Sequence, residues 1–148
     1  MATVERVRIL TAPSEQVWSV LADFGQIAEW AGNVDHSVVL TPTGGGEGAA
    51  RRVQVGRLAL IETIVGWDPP RRLAYSIAGL PPRLGEVVNE WTLEAMGEQT
   101  RVILATSVDP GPRPPQQGVG RLVAGRMAKA SDKMLDGLAS HLTTGSST

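Results

Sequence analysis

A proline-free stretch from Gln116 to Leu142 repeats apolar side chains every three or four residues, at Val119, Val123, Met127, Ala130, Met134 and Leu138, with Leu122, Leu135 and Leu142 beside them. That period lays them along one stripe of a helix. At about 1.5 Å per residue the helix is roughly 40 Å long, enough to cross an entire β-sheet. The segment before it, Asp109-Pro110-Gly111-Pro112-Arg113-Pro114-Pro115, admits neither helix nor inner strand and reads as a stiff connector. The polar end, Gly145 to Thr148, is expected to be a flexible tail.

What faces the stripe is read from the rest of the chain. Thr3 to Leu10 alternates, with Glu5, Val7 and Ile9 on one face and Val4, Arg6, Arg8 and Leu10 on the other, as in a strand. Thr11-Ala12-Pro13 stops it. Pro13 suits the start of a helix, and Glu15 suits its first turn. Val17, Val20, Leu21, Phe24 and Ile27 then recur at helical spacing, broken by Gly25, so two short helices are expected before Gly32. From Val34 to Ser107 the pattern is strand after strand: Val34–Leu40, Gly48–Val55, Leu58–Trp67, Arg71–Ala78, Glu86–Glu94 and Thr100–Val108. Short turns such as Gly56-Arg57 and Asp68-Pro69-Pro70 separate them, which implies an antiparallel meander. The fold class is therefore α+β. A sheet of about seven strands has one face to cover, and only the terminal helix has a stripe large enough, so the sheet must curl around it.

Composition narrows the chemistry. With 148 residues the chain suits one domain, residues 1–144, followed by the tail at 145–148. A net charge of -1 supplies no field for a polyanion, so nucleic acid is not the expected partner. The absence of cysteine removes disulfides and thiolate metal sites, and two histidines, His36 and His141, make no metal cluster. No metal or other cofactor is expected. No apolar run approaches the roughly 20 residues of a membrane span, and the first ten residues lack a signal-peptide core, so a cytoplasmic protein is expected. Gly44-Gly45-Gly46 lacks the lysine and helix start of a phosphate loop.

Several local motifs resemble the START-like (SRPBCC) superfamily, specifically its polyketide cyclase/dehydrase and lipid-transport group. They are Ala12-Pro13-Ser14-Glu15-Gln16-Val17-Trp18, Asp23-Phe24 through Trp30, Glu62-Thr63-Ile64 through Trp67-Asp68-Pro69-Pro70-Arg71-Arg72-Leu73-Ala74-Tyr75, and Trp91-Thr92-Leu93-Glu94 followed by Gly97 and Thr100-Arg101-Val102. The resemblance spans essentially the whole chain and implies the helix-grip fold, in which the curved sheet wraps a long C-terminal helix and leaves a cavity between them. It also implies that Glu62, Ile64, Tyr75, Ile77, Val87, Asn89 and Trp91 point inward, toward Val123, Met127, Ala130 and Met134. Strand alternation agrees for Val87, Asn89, Trp91 and Leu93. Hydropathy does not settle Glu62, because both faces of Leu58 to Trp67 are apolar.

Within such a cavity Glu62, Tyr75 and Asn89 are the candidate catalytic residues. A carboxylate facing an apolar space has its pKa raised by desolvation, which suits acid–base work. The bland alternative is a structural ion pair at the rim with a neighbouring arginine, such as Arg52 or Arg126. Asn89 can hold a ligand carbonyl or only ordered water. Tyr75 is a proton donor or a core ring with its hydroxyl satisfied. Arg126 is placed to reach a ligand at the mouth or to cover apolar surface with its stem. Trp91 and Trp67 line the pocket or simply pack in the core. Leu80 to Leu84, with Pro81, Pro82 and Arg83, reads as a stiff entrance loop. The ligand-binding set is then Ile64, Ile77, Arg83, Val87, Trp91, Val123, Arg126, Met127, Ala130 and Met134.

Three functions fit. The first is binding or carrying a small hydrophobic, lipid- or polyketide-like molecule. The second is a polyketide cyclase/aromatase-type enzyme that folds a chain and assists enolisation. The third is a protein-interaction module of the toxin- or ribosome-associated type. A monomer or a homodimer serves each of them.

Overall fold

The computed structural model describes residues 2–109 and 116–146, with side chains for all of these except residues 2, 83, 116–124 and 144–146. Seven strands form one antiparallel sheet: β1 (Ala2–Leu10), β2 (His36–Val39), β3 (Ala50–Val55), β4 (Leu58–Asp68), β5 (Arg72–Ala78), β6 (Glu86–Met96) and β7 (Gln99–Asp109). Their order is β1-β7-β6-β5-β4-β3-β2. The expected meander thus runs from β2 to β7, and β1 closes it beside β7.

This order puts β1 and β2 on opposite edges, so the chain between them must cross the sheet. It does so as α1 (Ser14–Ala22) and a 3₁₀ helix (Phe24–Glu29). Pro13 sits just ahead of α1, where its carbonyl accepts the amides of Gln16 and Val17. Val17, Trp18, Leu21, Phe24 and Ile27 are buried on the crossing. Two edge-to-face ring pairs lock it down: Trp18 on Trp67 at 5.1 Å, and Trp30 on Trp91 at 5.8 Å. A register shift between Ile64 and Gly66 changes the parity of β4, which lets Trp67 join the buried face.

The long helix, α2 (Gln116–Ser146), extends past Leu142, where its apolar stripe stops. It buries Ala128, Ser131, Met134, Leu135, Leu138 and Leu142. Arg6 and Arg8 of β1 tie to Asp132 and Asp136 of α2, so the helix lies against one edge of the sheet as well as its concave face. At Gly137 the helix meets the chain after the 3₁₀ helix so closely that a Cβ would collide with the carbonyl oxygen of Trp30. Only glycine permits that approach. The fold is the helix grip the resemblance implies. The proline-rich connector, residues 110–115, lies outside the described residues.

Candidate functional site

The inner face of the sheet follows from alternation. In β6, Val87, Asn89, Trp91 and Leu93 are buried, and the residues between them are less so. In β4 the buried set is Leu60, Glu62, Ile64 and Gly66, while Ile61 and Val65 are exposed. Glu62 therefore faces inward between two apolar neighbours of its own strand. In β3, Arg51 and Val53 are buried and Arg52 is exposed.

Strand pairing then sets the polar contacts. Arg51 and Glu62 are directly opposite across β3 and β4. Arg51 Nε donates to Glu62 Oε1 at 2.8 Å, and Nη2 stands 2.7 Å from the same oxygen. The Nη2 contact is an ion contact without hydrogen-bond direction, and Nη2 has no other acceptor. Nη1 donates to the Phe24 carbonyl at 2.8 Å. The guanidinium lies over the Phe24 ring at 3.7 Å and the Tyr75 ring at 4.7 Å. Arg51 is thus walled in, with 2% of its surface exposed. The arginine beside Glu62 is neither Arg52 nor Arg126. Arg52 points outward and bonds Gln54, and Arg126 is exposed.

A second row crosses β5, β6 and β7, where Tyr75, Asn89 and Thr106 are successive partners. Thr106 Oγ1 donates to Asn89 Oδ1 at 2.5 Å, and Asn89 Nδ2 donates to the Tyr75 hydroxyl oxygen at 3.3 Å. Trp91 Nε1 donates to that same hydroxyl oxygen at 3.2 Å.

Between α2 and the sheet lies a partly open cavity of about 160 Å³. Its apolar wall includes Val53, Leu60, Ile77, Val87, Met127 and Met134, and its polar lining is Asn33, Glu62, Asn89, Thr106 and Ser131. Leu58, the first residue of β4, lines the cavity while 42% exposed, which marks its mouth, and Leu80 of the proline-bearing loop also lines it. Ser131 is 1% exposed, and neither its hydroxyl nor Asn33 Oδ1 has a hydrogen-bond partner among the described residues.

The expected site residues separate into distinct groups. Glu62, Ile77, Val87, Asn89, Met127, Ala130 and Met134 surround the cavity. Ile64, Tyr75 and Trp91 are buried on the same face of the sheet and do not line it. Tyr75 stacks edge-to-face on Phe24, and Trp91 on Trp30, so both are core packing beside the site. Arg126 does not line the cavity. The side chains of Arg83 and Val123 lie outside the described residues. Sequence reasoning missed Arg51 and Ser131. Arg51 shares parity with Val53 and Val55, and that alternation is the signal that would have found it. Ser131 stands four residues after Met127 and four before Leu135, a spacing that puts it on the apolar stripe.

Burial pushes the Glu62 carboxyl above its ordinary value, while the charge and hydrogen bond of Arg51 pull the other way. Burial also raises the Tyr75 hydroxyl, helped by the Glu62 charge and opposed by Arg51 and the donors Trp91 and Asn89. Tyr75 therefore stays a neutral phenol. Glu62 is the one titratable group among the described lining residues. No His, Cys, Asp and Glu cluster suited to a metal occurs among the described residues, and none of their helices is long and apolar enough to cross a membrane.

The sequence matches the family described as polyketide cyclase / dehydrase and lipid transport over residues 1–143. No curated protein sequence matches it at a significant level. Among solved structures, the Zhui aromatase/cyclase from Streptomyces sp. R1128 superposes with a TM-score of 0.78 at 19% identity, covering 95% of this chain and 92% of that one. TTHA0849 from Thermus thermophilus gives 0.78 at 22% identity, covering 98% and 99%. Ara h 8.0201 gives 0.72 at 15% identity, covering 97% and 98%. At these identities the likeness is one of fold.

Proposed function

We propose, from the premise that this chain belongs to the polyketide cyclase / dehydrase and lipid transport family, that it binds a small hydrophobic molecule in the cavity between α2 and the sheet. One observation carries the reading: the apolar cavity is lined by two buried polar atoms, Ser131 Oγ and Asn33 Oδ1, without a partner among the described residues. A buried polar group left unpaired lowers stability, and a bound molecule or ordered water would relieve that cost. Apolar walls with a few placed polar groups are the ordinary make-up of small-molecule sites.

The test is native mass spectrometry of the purified chain together with a filled-cavity variant, Ala130→Phe. Binding predicts an adduct, or uptake of an added apolar molecule, that the variant loses while keeping its fold. Equal uptake by both proteins would place the guest elsewhere.

The raised carboxyl of Glu62 at the cavity supports a second reading, a cyclase- or aromatase-type enzyme with Glu62 as the acid–base group. Tyr75 contributes no proton in this version, because it lies outside the cavity lining. Turnover of a poly-β-keto substrate that Glu62→Gln abolishes while the substrate still binds would establish the enzyme.

A further inference from the structure

The polar atoms of the cavity divide into those with partners and those without. Thr106 is bonded to Asn89, and Asn89 to Tyr75. Glu62 uses Oε1 for Arg51, while Oε2 has no hydrogen-bond partner among the described residues. Ser131 Oγ has none either, nor has Asn33 Oδ1, an oxygen that can only accept. All three residues line the same space.

Size comes next. The cavity of about 160 Å³ is close to the roughly 150 Å³ of an apolar cavity that accepts benzene. One ring fills the enclosed part.

Charge decides between ligand classes. Among the described residues, the lining contains no Lys, Arg or His. The nearby cation, Arg51, is turned toward Glu62 and the Phe24 carbonyl and covered by two rings. An anionic guest such as a fatty-acid carboxylate would meet a carboxylate and no counter-cation of its own. A cation would meet a carboxylate already matched by Arg51. The guest favoured on both counts is neutral, and it donates a hydrogen bond.

We propose that the cavity selects a neutral, single-ring molecule bearing a hydroxyl, a simple phenol, whose O–H donates to Glu62 Oε2 while Ser131 Oγ supplies a second polar contact. This assignment rests on the ligand-binding reading above and specifies its chemistry.

The test uses the full chain with labelled methionine methyls. Met127 and Met134 line the cavity, and exposed Met96 serves as the internal reference. Phenol, toluene, benzaldehyde and benzoate are titrated at neutral pH and followed by NMR. Phenol should bind about tenfold more tightly than toluene, the effect of one hydrogen bond to a charged group, and benzoate should bind least. Ser131→Ala should weaken phenol several-fold and leave toluene unchanged. Glu62→Gln turns an amide N–H2 toward the cavity, so benzaldehyde, an acceptor only, should gain on phenol.

Equal affinity for phenol and toluene, insensitive to both substitutions, overturns the hydroxyl assignment and leaves an apolar binding site intact. Preference for benzoate overturns the charge argument. Silence of Met127 and Met134 toward all four compounds overturns the binding function itself, and this assignment with it.

Discussion

Arg51 and Glu62 stand directly opposite each other on β3 and β4, and their side chains close to 2.7 Å inside the protein. The register of two strands, rather than proximity in sequence, makes this pair. It faces the apolar cavity on the carboxylate side and the rings of Phe24 and Tyr75 on the guanidinium side.

Breaking such a pair from one side leaves a buried charge, so Arg51→Met should cost about 3–5 kcal/mol. Replacing both partners with apolar groups, Arg51→Met with Glu62→Leu, should recover most of that loss. Urea unfolding of the two variants checks this. A single-variant loss below about 1 kcal/mol would mean that the pair behaves like an exposed one.

The raised Glu62 carboxyl sets a pH dependence. The folded chain holds its Glu62 proton to a higher pH than the unfolded chain does, so the associated stability is complete below the unfolded value, ordinarily 4.5, and is lost as pH rises through the higher folded value. Arg51 on β3 is the charged group acting on it, while the Glu62 charge in turn bears on Tyr75 of β5. Glu62→Gln has no such proton. Its stability relative to the parent should improve as pH rises above the ordinary carboxylate value, as measured by unfolding at a series of pH values. A difference moving the opposite way would show that Arg51 outweighs burial.

Ser131→Ala should stabilise the empty protein by about 1 kcal/mol, since it removes a buried hydroxyl without a partner and improves helix propensity. Thermal unfolding without added ligand reads the effect. A lower melting temperature would show that ordered water already satisfies Oγ.

Two glycines of α2 should respond oppositely to alanine. At Gly137 a Cβ would press on the Trp30 carbonyl, a backbone atom that cannot step aside, so a loss of about 3 kcal/mol is expected. At Gly125 nothing lies within 4 Å of the added atom, and a gain of about 1 kcal/mol is expected. Parallel thermal melts of the two variants decide it.

Much of the architecture was legible in the chain because it follows from local periods. The stripe from Met127 through Leu138 can be only a helix, and the alternation of Val87, Asn89, Trp91 and Leu93 points one way only. The site was less legible. In β4 both faces are apolar, so hydropathy could not say whether Glu62 or Ile61 turns inward. In β3, Arg51 and Arg52 are chemically identical neighbours, separated only by parity with Val53. Tyr75 and Trp91 share the inward face with Asn89, yet the two ring pairs hold them in the core beside the cavity.

By itself, the order of the residues determined the elements, their antiparallel succession and the helix that must cover them, since hydrophobic period and turn chemistry act within a few neighbours. The tertiary structure alone decided that Glu62 faces Arg51, that Ser131 is left without a partner, and how much space remains between helix and sheet. Those outcomes depend on strand register and on how closely α2 can approach at Gly137, and both are distances between residues far apart in the chain.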